Sequence, residues 1–240
     1  MASTYSTNAQ LEIITTGEKA GQWGGINNTN LQILEQTSTG VLDVDISAGS
    51  STLVLTDGAQ STGKNVYFRL YGTLAANRTI TMPVTAERVW IMKDDTVRGT
   101  SNYTVGVLTA SGTTQPIPPG ATVLCKSNGS ETVVSIIEKG YATITDANSP
   151  YTAVAGAQIL ANTTSTVITV TLPAAASTGD EITIIDARGT WGSNNLTVDR
   201  NGLKINTADS NLTLSNNGQS ITLVYVDATR GWAYKTNYTS

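Results

Sequence analysis

The chain has 240 residues, of which 39% are hydrophobic and only 13% are charged, and its formal net charge is −4. It contains no histidine and a single cysteine, Cys125, which excludes histidine-dependent catalytic triads, histidine-ligated zinc sites and internal disulfides. The mild acidity argues against nucleic-acid binding, which needs a basic face, and no apolar run is long enough for membrane insertion as a helix.

The N-terminal segment, residues 1–40, differs from the rest of the chain. A glycine-rich loop around Trp23 leads into residues 26–36, where apolar residues recur at helical spacing, and this spacing predicts a short helix. Asn27 or Asn28 is expected to cap its start, and Gly40 to end it in a left-handed turn. A helix of about ten residues is not stable alone, so it must pack on its own chain or on another one.

From residue 41 onwards the sequence alternates between β-branched runs and turn residues. Threonine, valine and isoleucine supply stiff strand positions, whereas glycine, asparagine, aspartate and serine supply turns. Turn signals recur roughly every ten residues, which is typical of sandwiches and barrels. The fold class predicted is therefore all-β, with antiparallel sandwich or barrel-like domains. The predicted strands lie at residues 41–46, 52–55, 66–71, 79–83, 89–92, 133–137, 166–172, 181–185 and 221–226.

An internal repeat divides this β-rich region. Residues 79–83 match residues 169–173, and the Arg-Gly-Thr motif at 98–100 recurs at 188–190. Further matches follow in the same order along both halves, which indicates a duplicated unit. We therefore predict a docking segment followed by two tandem β-domains of one type, with domain boundaries at 1–40, 41–140 and 141–240.

Two features could bind small ligands or partners. Asp43 and Asp45 share one face of a predicted strand and could hold a cation together with further oxygen ligands, or they could be solvated carboxylates of an edge strand. Trp191, Trp232 and Tyr234 lie in or beside glycine-rich turns. These aromatic residues could contact a partner or a glycan, or they could pack over the edge of their domain.

No catalytic or cofactor-binding constellation is recognisable in the sequence. A glycosidase would need two carboxylates about 5–10 Å apart in a cleft, and nothing in the sequence indicates such a pair. We therefore expect a non-enzymatic protein without a resident cofactor or catalytic metal.

The N-terminal segment resembles the start of many tailed-bacteriophage fibre and appendage proteins. Those proteins carry a Gly-x-x-x-Gly-x-Trp-Gly loop that runs into an asparagine-rich short helix, as residues 17–31 do here. Residues 169–234 resemble a β-module of such proteins, with a Leu-Pro strand end, a Gly-Asp turn, an Asn-Leu-Thr-Val strand and a final Gly-Trp strand. The resemblance implies a homo-oligomer, often a homotrimer, that is located in the virion and fixed to the particle by its N-terminal segment.

These observations together predict a structural component of a tailed phage particle. A short tail fibre or fibre-like appendage is favoured, because the chain is short and lacks long heptad or shaft repeats. Its partners would be tail, adaptor or capsid proteins, contacted through Trp23, Ile26, Leu31 and Leu34. Two alternatives stay open, namely a capsid decoration protein that clamps neighbouring capsid subunits, and a glycan-binding module for host attachment.

Overall fold

A computed structural model describes residues 3–83, 85–109, 113–128 and 132–238 of the chain. Within these ranges the structure contains one α-helix, two short 3-10 turns and many β-strands. The prediction of a predominantly β protein with a single helix is therefore confirmed. No helix in the described ranges combines the length and the hydropathy of a membrane span.

Helix α1 spans Trp23–Thr39 and is longer than predicted. Its N-cap is Gln22, whose side chain makes no capping hydrogen bond, so the predicted asparagine caps are wrong. The predicted left-handed turn is also wrong, because Gly40 is extended with φ −64° and donates its N–H to the Gln36 carbonyl at 2.9 Å. Glycine is required at position 40 for another reason: a Cβ there would overlap the Gln36 carbonyl oxygen and lie 2.7 Å from Oδ1 of Asn65.

The first compact unit comprises Met1–Val97, Thr104–Ile117 and Thr122–Ile137. Apart from the β1–β2 hairpin, its strands form a five-stranded sheet in the order β11-β10-β7-β5-β3 and a four-stranded sheet in the order β4-β6-β8-β9. The strands are β1 (Thr4–Tyr5), β2 (Glu12–Ile13), β3 (Val41–Asp45), β4 (Ser51–Thr52), β5 (Tyr67–Thr73), β6 (Arg78–Met82), β7 (Glu87–Val97), β8 (Val105–Thr109), β9 (Gln115–Ile117), β10 (Thr122–Asn128) and β11 (Thr132–Glu138).

The chain of this unit winds alternately through the two sheets. Strands β3, β5 and β7 are parallel neighbours in one sheet, with Val41, Tyr67 and Ile91 in register. Strands β4, β6 and β8 are parallel neighbours in the other sheet. Each circuit therefore forms one coil of a β-solenoid. The winding ends in antiparallel strands, because β9 pairs with β8 and β10 pairs with β7 in the antiparallel sense.

The second compact unit comprises Arg98–Tyr103, Pro118–Ala121 and Glu138–Ser240. It has the same arrangement, with sheets ordered β12-β14-β16-β19-β20 and β13-β15-β17-β18. The first three strands of each sheet are parallel and the later ones antiparallel. The strands are β12 (Tyr141–Ile144), β13 (Tyr151–Thr152), β14 (Gln158–Ala161), β15 (Ile168–Thr171), β16 (Glu181–Asp186), β17 (Leu196–Asp199), β18 (Leu212–Leu214), β19 (Ser220–Asp227) and β20 (Gly231–Tyr238).

The antiparallel sandwich or barrel pairing predicted from the sequence is therefore wrong for the coil strands of each unit, which pair in the parallel sense. A coil strand and a hairpin strand both place alternate residues inside and outside, so periodicity cannot distinguish them. The repeated motifs do lie in corresponding strands, since residues 79–82 fall in β6 and residues 169–171 in β15. In unit 2 the apolar residues of both sheets, with Ile159, Val170 and Ile184 among them, form one buried core.

Candidate docking surface

Helix α1 carries apolar residues on two different sides. Ile33 is fully buried, whereas Trp23, Leu31 and Leu34 are 63%, 55% and 44% exposed. At about 100° per residue, these three exposed side chains share an arc of roughly 80°, and Ile33 lies about a third of a turn away from its centre. The helix therefore uses one side for its own chain and presents a separate apolar stripe to the solvent.

Two side-chain amides hold the helix in this orientation. Asn30 accepts a hydrogen bond from the Glu12 N–H at 3.0 Å and donates one to the Glu12 carbonyl at 2.9 Å. Gln36 makes the same kind of double contact with the N–H and carbonyl of Ser61, at 3.3 and 3.1 Å. Each amide thus pairs with the N–H and the carbonyl of one residue, as a neighbouring β-strand would. These contacts fix the rotation of the helix and keep the apolar stripe turned outwards.

The loop before the helix is tied to the N-terminal hairpin through Glu12. Its carboxylate accepts a hydrogen bond from Ser3 Oγ at 2.7 Å and forms an ion pair with Lys19 at 3.0 Å. The hydrogen bonds from Ser3 and Lys19 hold the pKa of Glu12 below its ordinary value. Trp23 follows this loop directly, so its backbone is anchored although its ring is exposed.

The structure separates the residues predicted to dock onto a particle. Trp23, Leu31 and Leu34 lie together on the exposed stripe, whereas Ile26 is half-buried on the other side and lines a groove with Glu12. Sequence reasoning missed Ile13 of β2, which is 53% exposed and follows the residue that Asn30 binds. We call Ile13, Trp23, Leu31 and Leu34 together the N-terminal docking surface.

The two candidate cation ligands are engaged within the chain. Asp43 lies beside Arg69 in the parallel register of β3 and β5 and accepts hydrogen bonds from its Nε and Nη2 at 3.0 and 2.8 Å. Asp45 accepts a hydrogen bond from the Ser47 N–H at 2.8 Å, and hydrogen bonding from Ser47 lowers its pKa. Among the described residues, no group of three or more histidine, cysteine or acidic residues is placed to hold a metal ion.

The candidate aromatic contacts lie in unit 2 and are mostly inaccessible. Trp191 and Trp232 are fully buried, and the Trp232 ring packs edge-on against Tyr225 with centroids 5.6 Å apart. Neither indole is accessible as a stacking platform in this structure. Tyr234, on β20, is 40% exposed and is the member of the predicted set that a partner or glycan could reach.

Cys125 is fully buried on β10, and burial raises the pKa of its thiol to about 12. Because the thiolate is the reactive form, we expect iodoacetamide to leave Cys125 unmodified at neutral pH in the folded protein and to alkylate it fully in denaturant. Intact mass spectrometry checks this prediction. Rapid alkylation of the folded chain would show that β10 opens readily.

No protein-family model and no curated protein matches this chain. A solved structure described as "Structure of a chaperone-substrate complex" is similar to it at 13% identity, with a TM-score of 0.38. The similarity covers 82% of this chain and 35% of that one. A likeness at this level carries no argument about function.

Proposed function

We propose that this chain is a non-enzymatic structural component of a tailed phage particle, a short tail fibre or fibre-like appendage anchored through the N-terminal docking surface. The observation that carries the proposal is the exposed apolar stripe of α1, with Trp23, Leu31 and Leu34 on one side of a helix held by other residues. The phage assignment itself rests on the resemblance of residues 17–31 and 169–234 to such proteins.

The physical basis for docking is burial of this stripe on a partner. Burying apolar area contributes about 25 cal/mol per Å², and large side chains near the centre of an interface carry most of its binding energy. The stripe itself contains no charged residue, so its burial avoids the cost of desolvating a charge. Because Asn30 and Gln36 already fix the helix, little conformational entropy is lost on binding.

A triple substitution tests the docking role. Replacing Trp23, Leu31 and Leu34 by serine is expected to lower the amount of protein that co-sediments with particles at least about tenfold, because each side chain contributes on the order of 1 kcal/mol or more. The assay is quantitative mass spectrometry of gradient-purified particles assembled with each variant. Since the three side chains are exposed, the thermal unfolding midpoint followed by far-UV circular dichroism should not change.

The matched control replaces three similarly exposed valines outside the N-terminal segment by serine, namely Val89, Val97 and Val167. This control should be incorporated as the unmodified chain is. Normal incorporation of the Trp23, Leu31 and Leu34 variant would contradict the docking proposal. If both variants are incorporated equally poorly, the effect comes from the increased polarity of the surface in general and not from the docking surface.

The same docking surface would serve a capsid decoration protein, and copy number separates the two proposals. A fibre or appendage requires a few to a few dozen copies per particle, whereas decoration requires hundreds. The quantitative mass spectrometry described above measures this number directly. A glycan-binding role is less well supported, because the rings of Trp191 and Trp232 are buried.

A further inference from the structure

Lys64 is a fully buried cation at the end of the 3-10 turn Thr62–Lys64 in unit 1. Its ammonium donates hydrogen bonds to the carbonyls of Thr56 and Ala59, both at 2.7 Å. Burial lowers the pKa of Lys64 below its ordinary value, and repulsion from the neighbouring Arg88 adds to this effect. Because a buried cation is costly unless it is hydrogen-bonded, the ammonium and the two carbonyls hold one another in place.

We call residues 56–61 the anchoring loop, because the N-terminal segment is attached to it at two points. The N–H and the carbonyl of Ser61 both bond the side-chain amide of Gln36 on helix α1. The Gly58 N–H donates to the carbonyl of Gln10 at 2.9 Å, in the turn between β1 and β2. The helix and the hairpin are therefore bound to the same six residues.

The other side of the anchoring loop is tied to the solenoid. The Thr56 N–H donates to Oγ of Ser61 at 3.1 Å, which closes the loop on itself. The carbonyl of Gly63, next to Lys64, accepts a hydrogen bond at 2.8 Å from the indole N–H of Trp90, which is fully buried in β7. The position of Lys64 is therefore set by the core, and the loop takes its shape from Lys64.

Outside the anchoring loop, few buried contacts with described residues hold the N-terminal segment. Ile33 is the one buried residue of helix α1. Asn30 binds Glu12 of the hairpin, and the hairpin is itself bound to the loop. The hairpin turn has a further tie, because Oδ1 of Asn8 accepts a hydrogen bond from the Glu87 N–H at 3.1 Å. A segment with so few buried apolar contacts opens locally at a low free energy.

We infer that Lys64 is the positioning residue of the N-terminal docking surface. Its ammonium sets the anchoring loop, and the loop sets the helix and the hairpin that carry the surface. Without the ammonium, the carbonyls of Thr56 and Ala59 lose their donor, the loop is released, and the helix detaches while the strands of unit 1 stay folded. This role rests on the proposed docking function, but attachment of the helix can be measured without particles.

Hydrogen exchange of the full-length Lys64→Met variant, followed by mass spectrometry, tests this role. The amides of α1 should exchange at least about tenfold faster than in the unmodified chain, whereas those of β5 and β7 should keep their protection. Arg78→Met is the matched control, since Arg78 also donates to two carbonyls, those of Ile46 and Ser47 in the turn after β3, at 2.8 and 2.7 Å. It should leave the exchange of α1 unchanged. Unchanged exchange of α1 in Lys64→Met would overturn the role, and so would an equal increase throughout unit 1, which would show only a general loss of stability.

A second measurement covers the possibility that Lys64→Met does not fold. Coupling between two contacts is reciprocal, so Gln36→Leu, which frees the helix from Ser61, should loosen the loop around Lys64. Acetylation of Lys64 by N-hydroxysuccinimidyl acetate, measured by peptide mass spectrometry relative to the exposed Lys139, should then be about fivefold faster than in the unmodified chain. An unchanged labelling ratio would show that the loop and the helix are not coupled, and would overturn the role of Lys64.

Incorporation into particles separates this role from the docking function. Lys64→Met should co-sediment with particles less than the unmodified chain does, because its docking surface is no longer held in place. Faster exchange of α1 together with normal incorporation would contradict the docking function and support the positioning role. Unchanged exchange of α1 would contradict the positioning role, whatever the level of incorporation.

Discussion

Replacing Gly231 by alanine is expected to destabilise unit 2 by more than about 3 kcal/mol. Gly231 begins β20 with φ +71°, a conformation that side chains rarely adopt, and a Cβ there would overlap the carbonyl oxygen of Lys204. The strand is held against this neighbour, because the Trp232 N–H donates to the Lys204 carbonyl at 2.8 Å and the Asn206 N–H donates to the Trp232 carbonyl at 2.7 Å. Relief of the overlap would therefore break hydrogen bonds next to a buried tryptophan.

Gly202→Ala separates the overlap from the backbone strain. Gly202 has φ +89° and no heavy atom within 4 Å of a Cβ, so its replacement should cost only the conformational term of about 1–2 kcal/mol. Hydrogen exchange of the β19 and β20 amides, measured against urea concentration, reports how much stability unit 2 loses in each variant. Equal losses would mean that the contact with Lys204 does not determine the effect.

The position of most strands follows from the sequence, but the way in which they pair does not. Alternation at residues 66–71 predicts an inner side with Phe68 and Leu70, and both are fully buried in β5. The partner of β5 depends on where the chain goes next, and here it crosses to the other sheet before returning as β7. Such long-range connections leave no local signature, because a turn to the facing sheet and a hairpin turn use the same residues.

The helix illustrates the same limit for the candidate site. Apolar residues at 26, 31, 33 and 34 indicate a helix but form two sides, and the sequence does not determine which side packs on the chain. The choice is made by Asn30 and Gln36, whose amides bind backbone groups at Glu12 and Ser61. Their partners lie 18 and 25 residues away in the chain, so their role becomes visible only in the folded structure.

Trp191 shows how a turn-rich sequence can conceal a core residue. Its neighbours in the segment from Arg188 to Asn195 are largely glycine, serine and asparagine, so the sequence allows both exposure and packing. The Trp191 N–H donates to the Asp186 carboxylate at 3.2 Å, and the indole is fully buried. The sequence does contain a signal, an aspartate that follows an apolar run and recurs at Asp94 in the first unit, but the backbone partners of Asp186 cannot be derived from it.

Asp186→Asn is expected to lower the stability of unit 2 by about 2–4 kcal/mol at neutral pH. The carboxylate accepts hydrogen bonds from four backbone N–H groups, at distances of 2.9–3.2 Å, and thereby joins two loops; the donors belong to Arg188, Gly189, Trp191 and Gly218. An asparagine amide offers one oxygen, so its NH₂ group would face N–H donors that then lose their acceptor. Urea unfolding at pH 7 followed through tryptophan fluorescence measures the loss.

The same carboxylate should make unit 2 sensitive to acid. Burial alone would raise the pKa of Asp186, but hydrogen bonds from the backbone, with Gly218 and Trp191 foremost, outweigh burial and lower it. Because the folded-state pKa lies below the unfolded value of about 3.9, the contribution is complete above that value and is lost as the pH falls through the folded-state pKa. In Asp186→Asn the free energy of unfolding should therefore fall less steeply as the pH is lowered below about pH 5. Asp209→Asn, at a largely exposed carboxylate, is the control and should keep the acid dependence of the unmodified chain. If Asp186→Asn also keeps that dependence, another group is responsible for it.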